Sequence, residues 1–255
     1  MKLDGRIALV TGGATGIGQA TVMHLARSGV GGIAINYRSA KQKAEETAAE
    51  VAAMGVDAVC IHADLTDDDQ VRRMVNQAGE RFGQLDVLVN NAGVTHWVPI
   101  DDLEGLTDAM WDEILNVNVK AAFRCTRAAA ALLSETHGAV VNVSSISGIL
   151  ATPTLSSIAY GTAKAGLIYL TRALAVALAP NVRVNAVAPA FTDTQWMKDH
   201  FGNDYDQTIA RASSNFPLGR IATTEDVAAA IAGLVTGGDF VTGQTLIVDG
   251  GLSLS

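Results

Sequence analysis

The sequence has few of the residues that mark small secreted folds or nucleic-acid surfaces. Only two cysteines occur, Cys60 and Cys125, with no CxxC pair, so a disulfide framework is excluded and we expect free buried thiols. Lys and Arg number 18 against 26 Asp and Glu, for a formal net charge of -8. A nucleic-acid surface needs clustered cations. We therefore expect small-molecule partners and no nucleic acid.

Long hydrophobic runs and metal-ligand patterns are also lacking. The apolar run Ile7–Val10 is too short for a signal-peptide core. Segment 165–180 is interrupted by Arg172 and falls short of the roughly 18 apolar residues of a membrane span. These features predict no membrane partner and a cytoplasmic location. No metal site is expected, because ligand spacing is lacking among His24, His62, His96, His137 and His200.

Short apolar runs alternate with longer segments of helical periodicity throughout the 255 residues. This alternation is typical of βαβ units. No linker or repeat divides the chain, which predicts one domain, residues 1–255. The expected fold class is α/β, a Rossmann-type doubly wound parallel sheet of about seven strands with helices on both faces. The predicted strands are residues 6–11, 32–37, 57–63, 85–90, 138–144, 182–187 and 244–249.

The helical segments differ in composition. Segments 18–29, 40–55 and 67–83 end at or near a glycine, as crossover helices do. Segments 110–133 and 158–179 are rich in Ala and apolar on more than one face, so we expect them to be buried in the domain or against a second subunit. Segment 190–215 has weak periodicity and is interpreted as a loop-like lid over the substrate.

A glycine-rich turn, Thr11–Gly18, directly follows the first predicted strand. A strand, a glycine turn and a helix together place backbone N–H groups and the positive helix end at one point, where a phosphate can bind. The GxGxxG fingerprint is absent because Ala14 stands at its second glycine, and no Lys-Ser or Lys-Thr pair of a Walker loop follows.

The pattern TGxxxGxG in this turn resembles the cofactor loop of the short-chain dehydrogenase/reductase family. The family's other motifs follow in the expected order, so the resemblance covers the chain from end to end. Within the family, the chain resembles 3-oxoacyl-ACP reductase-like or glucose dehydrogenase-like members. These motifs are LVNNAG (88–93), MWDEILNVNV with Asn118, VNVSSISG with Ser145, YGTAK (160–164), VNAVAPAFTDT (184–194), FPLGRIATTEDVA (216–228) and TGQTLIVDGG (242–251).

The resemblance implies a catalytic set of Asn118, Ser145, Tyr160 and Lys164. Tyr160 and Lys164 are four residues apart, so on a helix they share a face. A neighbouring ammonium stabilises a phenolate and lowers the phenol's pKa, which would make Tyr160 a general acid or base. A Ser145 hydroxyl can donate to a substrate carbonyl oxygen. The family resemblance assigns Asn118 a water that links Lys164 to solvent.

Ser147 competes with Ser145 for the catalytic role. Ser147 lies thirteen positions before Tyr160, the usual family spacing, whereas Ser145 lies fifteen before it. Ser145 is preferred because SxxG marks the strand end, which assigns the extra residues to the loop 149–159.

The cofactor is expected to be NADP, with NAD possible. The second strand ends in Asn36-Tyr37-Arg38-Ser39, which offers no acid for a ribose hydroxyl and one guanidinium for a 2′-phosphate. Against this, Thr15 stands where many NADP-preferring relatives carry a basic residue. Separately, Ala190 replaces a usual glycine, so the loop after Pro189 is expected to bend differently. The cofactor-binding residues implied by the resemblance are Gly12, Thr15, Gly16, Ile17, Gly18, Tyr37, Arg38, Ser39, Asp64, Leu65, Asn91, Ala92, Gly93, Tyr160, Lys164, Pro189, Thr192 and Thr194.

These observations predict an NADP(H)-dependent oxidoreductase that interconverts a small-molecule carbonyl and a secondary alcohol. The alternatives are an NAD-linked alcohol or sugar dehydrogenase and a non-catalytic dinucleotide-binding sensor. The family resemblance and the Ala-rich helices imply a homo-tetramer or dimer. Four apolar side chains, Trp97, Phe191, Trp196 and Met197, either line a substrate pocket or pack in the core or lid. The substrate itself stays open.

Overall fold

Seven parallel strands run through the centre of the computed structural model, which describes residues 1–151 and 157–254. Their order is β3-β2-β1-β4-β5-β6-β7, so the predicted doubly wound parallel sheet is confirmed. The strands are β1 Ile7–Val10, β2 Gly32–Tyr37, β3 Asp57–His62, β4 Val87–Asn90, β5 Ala139–Val143, β6 Arg183–Pro189 and β7 Thr245–Val248.

The central strands are apolar throughout because helices cover both faces of the sheet. Every residue of β1 is buried, and Leu9 pairs with Ala34 of β2 on one side and Leu88 of β4 on the other. One hydrophobic cluster, which includes Val22 and Ile231, lies on one face. A second cluster, which includes Leu9, lies on the other.

Nine α-helices complete the described part of the chain. Three pack against one face of the sheet and three against the other, while the remaining three lie near the carboxyl ends of the strands. In chain order they are α1 Gly16–Arg27, α2 Lys41–Ala53, α3 Asp68–Phe82, α4 Asp108–Leu115, α5 Ala121–Glu135, α6 Ile158–Ala177, α7 Gln195–Phe201, α8 Tyr205–Ser213 and α9 Thr224–Thr236. Among the described residues, no helix is both long and apolar enough to cross a bilayer.

Two predicted segments differ from the structure. Segment 110–133 is divided into α4 and α5 by a wider π-helical turn, Asn116–Lys120. Segment 190–215 contains α7 and α8, so the expectation of a loop there is wrong. Only Met197 is buried in α7 and no residue is buried in α8, and such weakly buried helices leave little apolar periodicity in a sequence.

The order of the strands places a crevice above β1 and β4. The chain proceeds from β1 to β2 on one side and later from β4 to β5 on the other, so the connections after β1 and β4 diverge. Ligands bind at such a switch point, at the carboxyl ends of the strands. The loop 149–159, to which the sequence assigns the extra residues before Tyr160, lies partly outside the described residues, since 152–156 are not described.

Candidate active site

A cavity of about 440 Å³ lies in this crevice. It is lined by residues at the carboxyl ends of six strands, β1 to β6, and by residues of the helices that follow them. Sixteen of the predicted site residues line it: Gly12, Thr15, Gly16, Ile17, Arg38, Asp64, Leu65, Asn91, Ala92, Gly93, Ser145, Tyr160, Lys164, Pro189, Thr192 and Thr194. Gly18, Tyr37, Ser39 and Asn118 lie outside this lining, and Ser147 is part of it.

The glycine turn forms one wall of the cavity. Gly12 and Gly16 have φ values of +61° and +55°, a region that favours glycine. Thr15 begins α1 without a side-chain cap, so the first turn keeps backbone N–H groups for an anion. A Cβ at Gly18 would clash with the carbonyl oxygen of Gly12 and lie 2.5 Å from Nδ2 of Asn91. Gly18 therefore acts through packing beneath the turn.

Two asparagine side chains hold the turn against the neighbouring strand ends. The amide oxygen of Asn36 accepts from the N–H of Gly12 at 3.2 Å, and its Nδ2 donates to the carbonyls of Ile61 and Ala63. Asn91 Nδ2 donates to the carbonyl of Gly12 at 3.2 Å. Asn91 is among the cofactor residues predicted from the sequence, whereas Asn36 is not. A buried Asn in an otherwise apolar strand is the signal for such a contact.

Tyr160 and Lys164 lie on one face of α6, as their spacing predicts. The ammonium of Lys164 donates to the carbonyl of Val143 at 2.8 Å and lies 5.4 Å from the centre of the Tyr160 ring. The Ser145 hydroxyl accepts from the N–H of Ser147 at 3.1 Å, and both Ser145 and Tyr160 line the cavity.

Burial dominates the protonation of this pair. It raises the pKa of Tyr160 to about 12, although the side chain of Ser145 acts in the opposite direction. Burial also lowers the pKa of Lys164 to about 8. The expected net lowering of the Tyr160 pKa is therefore wrong for this structure, because desolvation of the hydroxyl is the largest cause and raises the pKa overall. At neutral pH the phenol carries its proton.

Asn118 lies in the π-helical turn, behind Gly93. Its Nδ2 donates to the carbonyls of Val94 at 2.8 Å and Ile114 at 2.9 Å. Its buried Oδ1 accepts no hydrogen bond from the described residues. A Cβ added at Gly93 would lie 2.8 Å from this oxygen and 3.5 Å from Nζ of Lys164. The glycine therefore keeps side-chain atoms out of the space between the amide oxygen and the ammonium.

Close backbone packing sets the distance between α6 and the end of β5. A Cβ at Gly148 would lie 2.6 Å from the backbone nitrogen of Ala165, and one at Gly161 would lie 2.9 Å from the carbonyl oxygen of Ser147. The hydroxyl of Ser144 donates to the carbonyl of Lys164 at 2.8 Å. From the sequence, Gly148 marks only the strand end, and these positioning contacts are not predicted.

At the other end of the cavity lie Arg38 and Asp64. Arg38 is exposed at the end of β2, and its charge contributes to lowering the pKa of Asp64. The larger cause is the backbone N–H of Thr66, which donates to the Asp64 carboxylate at 2.9 Å. Tyr37 packs edge-on against His62 with ring centroids 5.5 Å apart. This end of the cavity therefore presents one guanidinium beside one carboxylate.

Aromatic side chains border the cavity near Tyr160. Trp196 of α7 lies 6.3 Å from the Tyr160 ring and 5.5 Å from Trp97, measured between ring centroids. Both indoles line the cavity, as do Phe191 and Met197. Among the described residues, no three His, Cys, Asp or Glu side chains come together as metal ligands would.

Comparison with known proteins identifies the family. The family model described as enoyl-(acyl carrier protein) reductase matches residues 12–253. The chain is 42% identical to a Streptomyces violaceoruber protein named as a granaticin polyketide synthase ketoacyl reductase, over 97% of this chain and 96% of that protein. It is 36% identical to the 3-oxoacyl-(acyl-carrier-protein) reductase of Staphylococcus aureus, over 99% of both chains. A crystal structure named as a short-chain dehydrogenase/reductase from Burkholderia xenovorans has a TM-score of 0.90 and 31% identity, over 98% of this chain and 99% of that one.

The chain belongs to the short-chain dehydrogenase/reductase family. The predicted family and the predicted class, an oxidoreductase enzyme, are thereby confirmed. In this short-chain dehydrogenase/reductase, Ser145, Tyr160 and Lys164 converge on one cavity and Asn118 lies directly behind its wall. Their catalytic roles stay predictions.

Proposed function

We propose that this protein reduces a ketone to a secondary alcohol with NADPH, and that Tyr160 donates the proton. The observation that supports this most is the half-buried phenol of Tyr160, whose raised pKa keeps it protonated at neutral pH, in the same cavity as Ser145 and an uncapped helix N-terminus. A protonated acid suits delivery of a proton to a carbonyl oxygen. Relatives named as ketoacyl reductase and 3-oxoacyl-(acyl-carrier-protein) reductase point the same way.

The cavity fits a nicotinamide dinucleotide. The glycine turn offers backbone N–H groups at the N-terminus of α1 for a pyrophosphate. Arg38 supplies a cation for a ribose 2′-phosphate, beyond the end of a strand that carries no acid. Thr192 and Thr194 also line the cavity, and Thr194 fits the position of the family's carboxamide contact. When bound, the reduced nicotinamide supplies the hydride.

The protein's residues then handle the oxygen and the proton. Ser145 donates a hydrogen bond to the substrate carbonyl oxygen, which stabilises the negative charge that develops on it. Tyr160 gives its hydroxyl proton to the same oxygen and becomes a phenolate. The Lys164 ammonium, whose pKa of about 8 leaves it charged at neutral pH, stabilises that phenolate. The unpartnered Oδ1 of Asn118 is suited to hold a water through which protons return to Tyr160 by way of Lys164.

Substitution of the phenol tests this proposal. We expect Tyr160→Phe to lower kcat for NADPH-dependent reduction by about a hundredfold or more across a ketone panel, because the general acid is lost. Tyr169→Phe is the matched control, since Tyr169 lies on the same helix and is 73% exposed. Wild-type turnover by a folded Tyr160→Phe variant would refute the proposed acid. Tight NADPH binding without turnover of any ketone would favour the alternative of a non-catalytic dinucleotide-binding sensor.

The same panel with NADH tests the alternative of an NAD-linked dehydrogenase. A guanidinium facing the ribose favours NADPH, so we expect a higher kcat/KM with NADPH than with NADH. An equal or higher value with NADH would favour the alternative.

We also propose that the protein works as a homo-tetramer or dimer. Apolar side chains are exposed on α5, on α6 and along the β7 edge strand: Phe123 at 40%, Val176 at 81%, Leu246 at 43% and Ile247 at 40%. Covering such surfaces with a second copy removes apolar area from water. Light scattering should therefore give a multiple of 26.5 kDa. A monomer at micromolar concentration would contradict this.

A further inference from the structure

The part of the cavity beside Tyr160 has two indole rings as walls. Trp196 comes from α7, and Trp97 comes from the loop after β4. Their centroids are 5.5 Å apart with ring planes at 53°, and the Trp196 ring meets the Tyr160 ring at 60°. A ketone whose oxygen reaches Tyr160 and Ser145 therefore places its neighbouring carbon atoms against these indoles.

The walls are supported from behind. The ring of His200 stacks on Trp97 at 3.9 Å with planes 12° apart, and Phe201 lies 6.3 Å from the same indole. Trp196 itself is 43% exposed. A half-exposed indole whose neighbours are already packed can bury further area only against an incoming group. Flat rings make the best use of such a surface, because they can stack or meet edge to face.

The chain beside Trp97 is acidic. Segment 97–114 contains no Lys or Arg and six exposed carboxylates: Asp101, Asp102, Glu104, Asp108, Asp112 and Glu113. On the lid, Lys198 is paired with Asp193 at 2.8 Å. This charge distribution disfavours approach of anionic substrates on the Trp97 side of the cavity, including the phosphodiester arm on which carrier proteins and coenzyme A present acyl groups.

We infer that the substrate is a neutral ketone conjugated to a flat aromatic ring system, taken free from solution. This inference rests on the proposed reductase function and names its substrate class. Trp97 and Trp196 are the residues that determine the specificity.

The test compares 1-tetralone with 1-decalone, which share a fused bicyclic skeleton and the ketone position but differ in aromaticity. The measured quantity is the ratio of their kcat/KM values with NADPH in wild type and in Trp97→Leu and Trp196→Leu. Intrinsic reactivity cancels when the ratios are compared between proteins. We expect each substitution to lower the ratio by about two- to tenfold, as loss of an aromatic pair does. Trp196→Phe should keep most of the preference, and Phe240→Leu, at a fully exposed site, should keep all of it.

A matched pair of thioester substrates tests the effect of charge. Acetoacetyl-N-acetylcysteamine is neutral, and acetoacetyl-coenzyme A carries the same thioester on a phosphorylated arm. We expect a higher kcat/KM for the neutral thioester at low ionic strength, with the gap narrowing in 0.5 M NaCl because salt screens the repulsion. Faster use of the coenzyme A thioester at low salt would overturn the exclusion of anionic substrates.

An unchanged tetralone-to-decalone ratio in both Leu variants would overturn the aromatic inference while leaving the reductase intact. Binding gives a readout that does not need turnover: 1-tetralol should quench indole fluorescence at lower concentration than 1-decalol. Equal quenching by both alcohols would also overturn the inference. If the protein reduces no ketone although it binds 1-tetralol in preference to 1-decalol, the result counts against the proposed function instead.

Discussion

Lys164 allows a quantitative prediction from its burial. The residue is 3% exposed, and burial lowers the pKa of its amine from 10.5 to about 8. The unfolded chain holds this proton up to about pH 10.5, whereas the folded protein releases it near pH 8. Between these values the unfolded state binds more protons, so the stability of the fold rises with pH. The whole interval corresponds to about 3 kcal/mol, of which about 2 kcal/mol falls between pH 7 and pH 9.5.

Urea denaturation of wild type and Lys164→Met at these two pH values measures the effect. Other groups titrate alike in both proteins, so the difference between their unfolding free energies isolates Lys164. We expect wild type to gain about 2 kcal/mol relative to Lys164→Met from pH 7 to pH 9.5. The control is Lys120→Met, at an exposed position in the π-helical turn, and its unfolding free energy should change with pH as that of wild type does. If the unfolding free energy of Lys164→Met also changes with pH as that of wild type does, burial does not destabilise this ammonium and the prediction is refuted.

Two further predictions concern packing and the cofactor. Gly148→Ala should lower the free energy of unfolding, measured in urea, by about 1–3 kcal/mol, because its Cβ would lie 2.6 Å from the backbone nitrogen of Ala165. The control is Gly233→Ala in α9, where a Cβ would meet open space, and it should leave the free energy of unfolding unchanged. A stable Gly148→Ala variant would contradict the close approach. In steady-state kinetics, Arg38→Ala should raise the KM for NADPH about tenfold or more, because a charge-assisted hydrogen bond is lost. The KM for NADH should change by less than about twofold. Equal changes with both cofactors would remove Arg38 from the phosphate site.

The sheet and the glycine turn could be predicted from the sequence. Strands covered on both faces are continuous apolar runs, and the predicted strand 32–37 coincides with β2. The turn could be recognised because its glycines adopt backbone conformations that few other residues reach. Local sequence therefore carries this information by itself.

The lid helices and the protonation of Tyr160 could not be predicted in this way. Helices α7 and α8 bury a single residue between them, so their pattern does not separate one face from the other. The pKa of Tyr160 depends on how much solvent the folded chain removes and on the direction in which the Lys164 ammonium points. Both are properties of tertiary packing, and the spacing of two residues does not contain them.

The central claim is that Tyr160 supplies the proton to the reduced carbonyl, and a single-turnover experiment tests it most directly. NADPH-loaded protein is mixed with a saturating ketone at pH 7, and the decay of nicotinamide absorbance is followed in wild type, Tyr160→Phe and Tyr169→Phe. We expect the rate of Tyr160→Phe to fall by about a hundredfold or more. The rate of Tyr169→Phe should equal that of wild type. Decay of Tyr160→Phe at the wild-type rate, with the ketone fully converted to alcohol, would contradict the central claim.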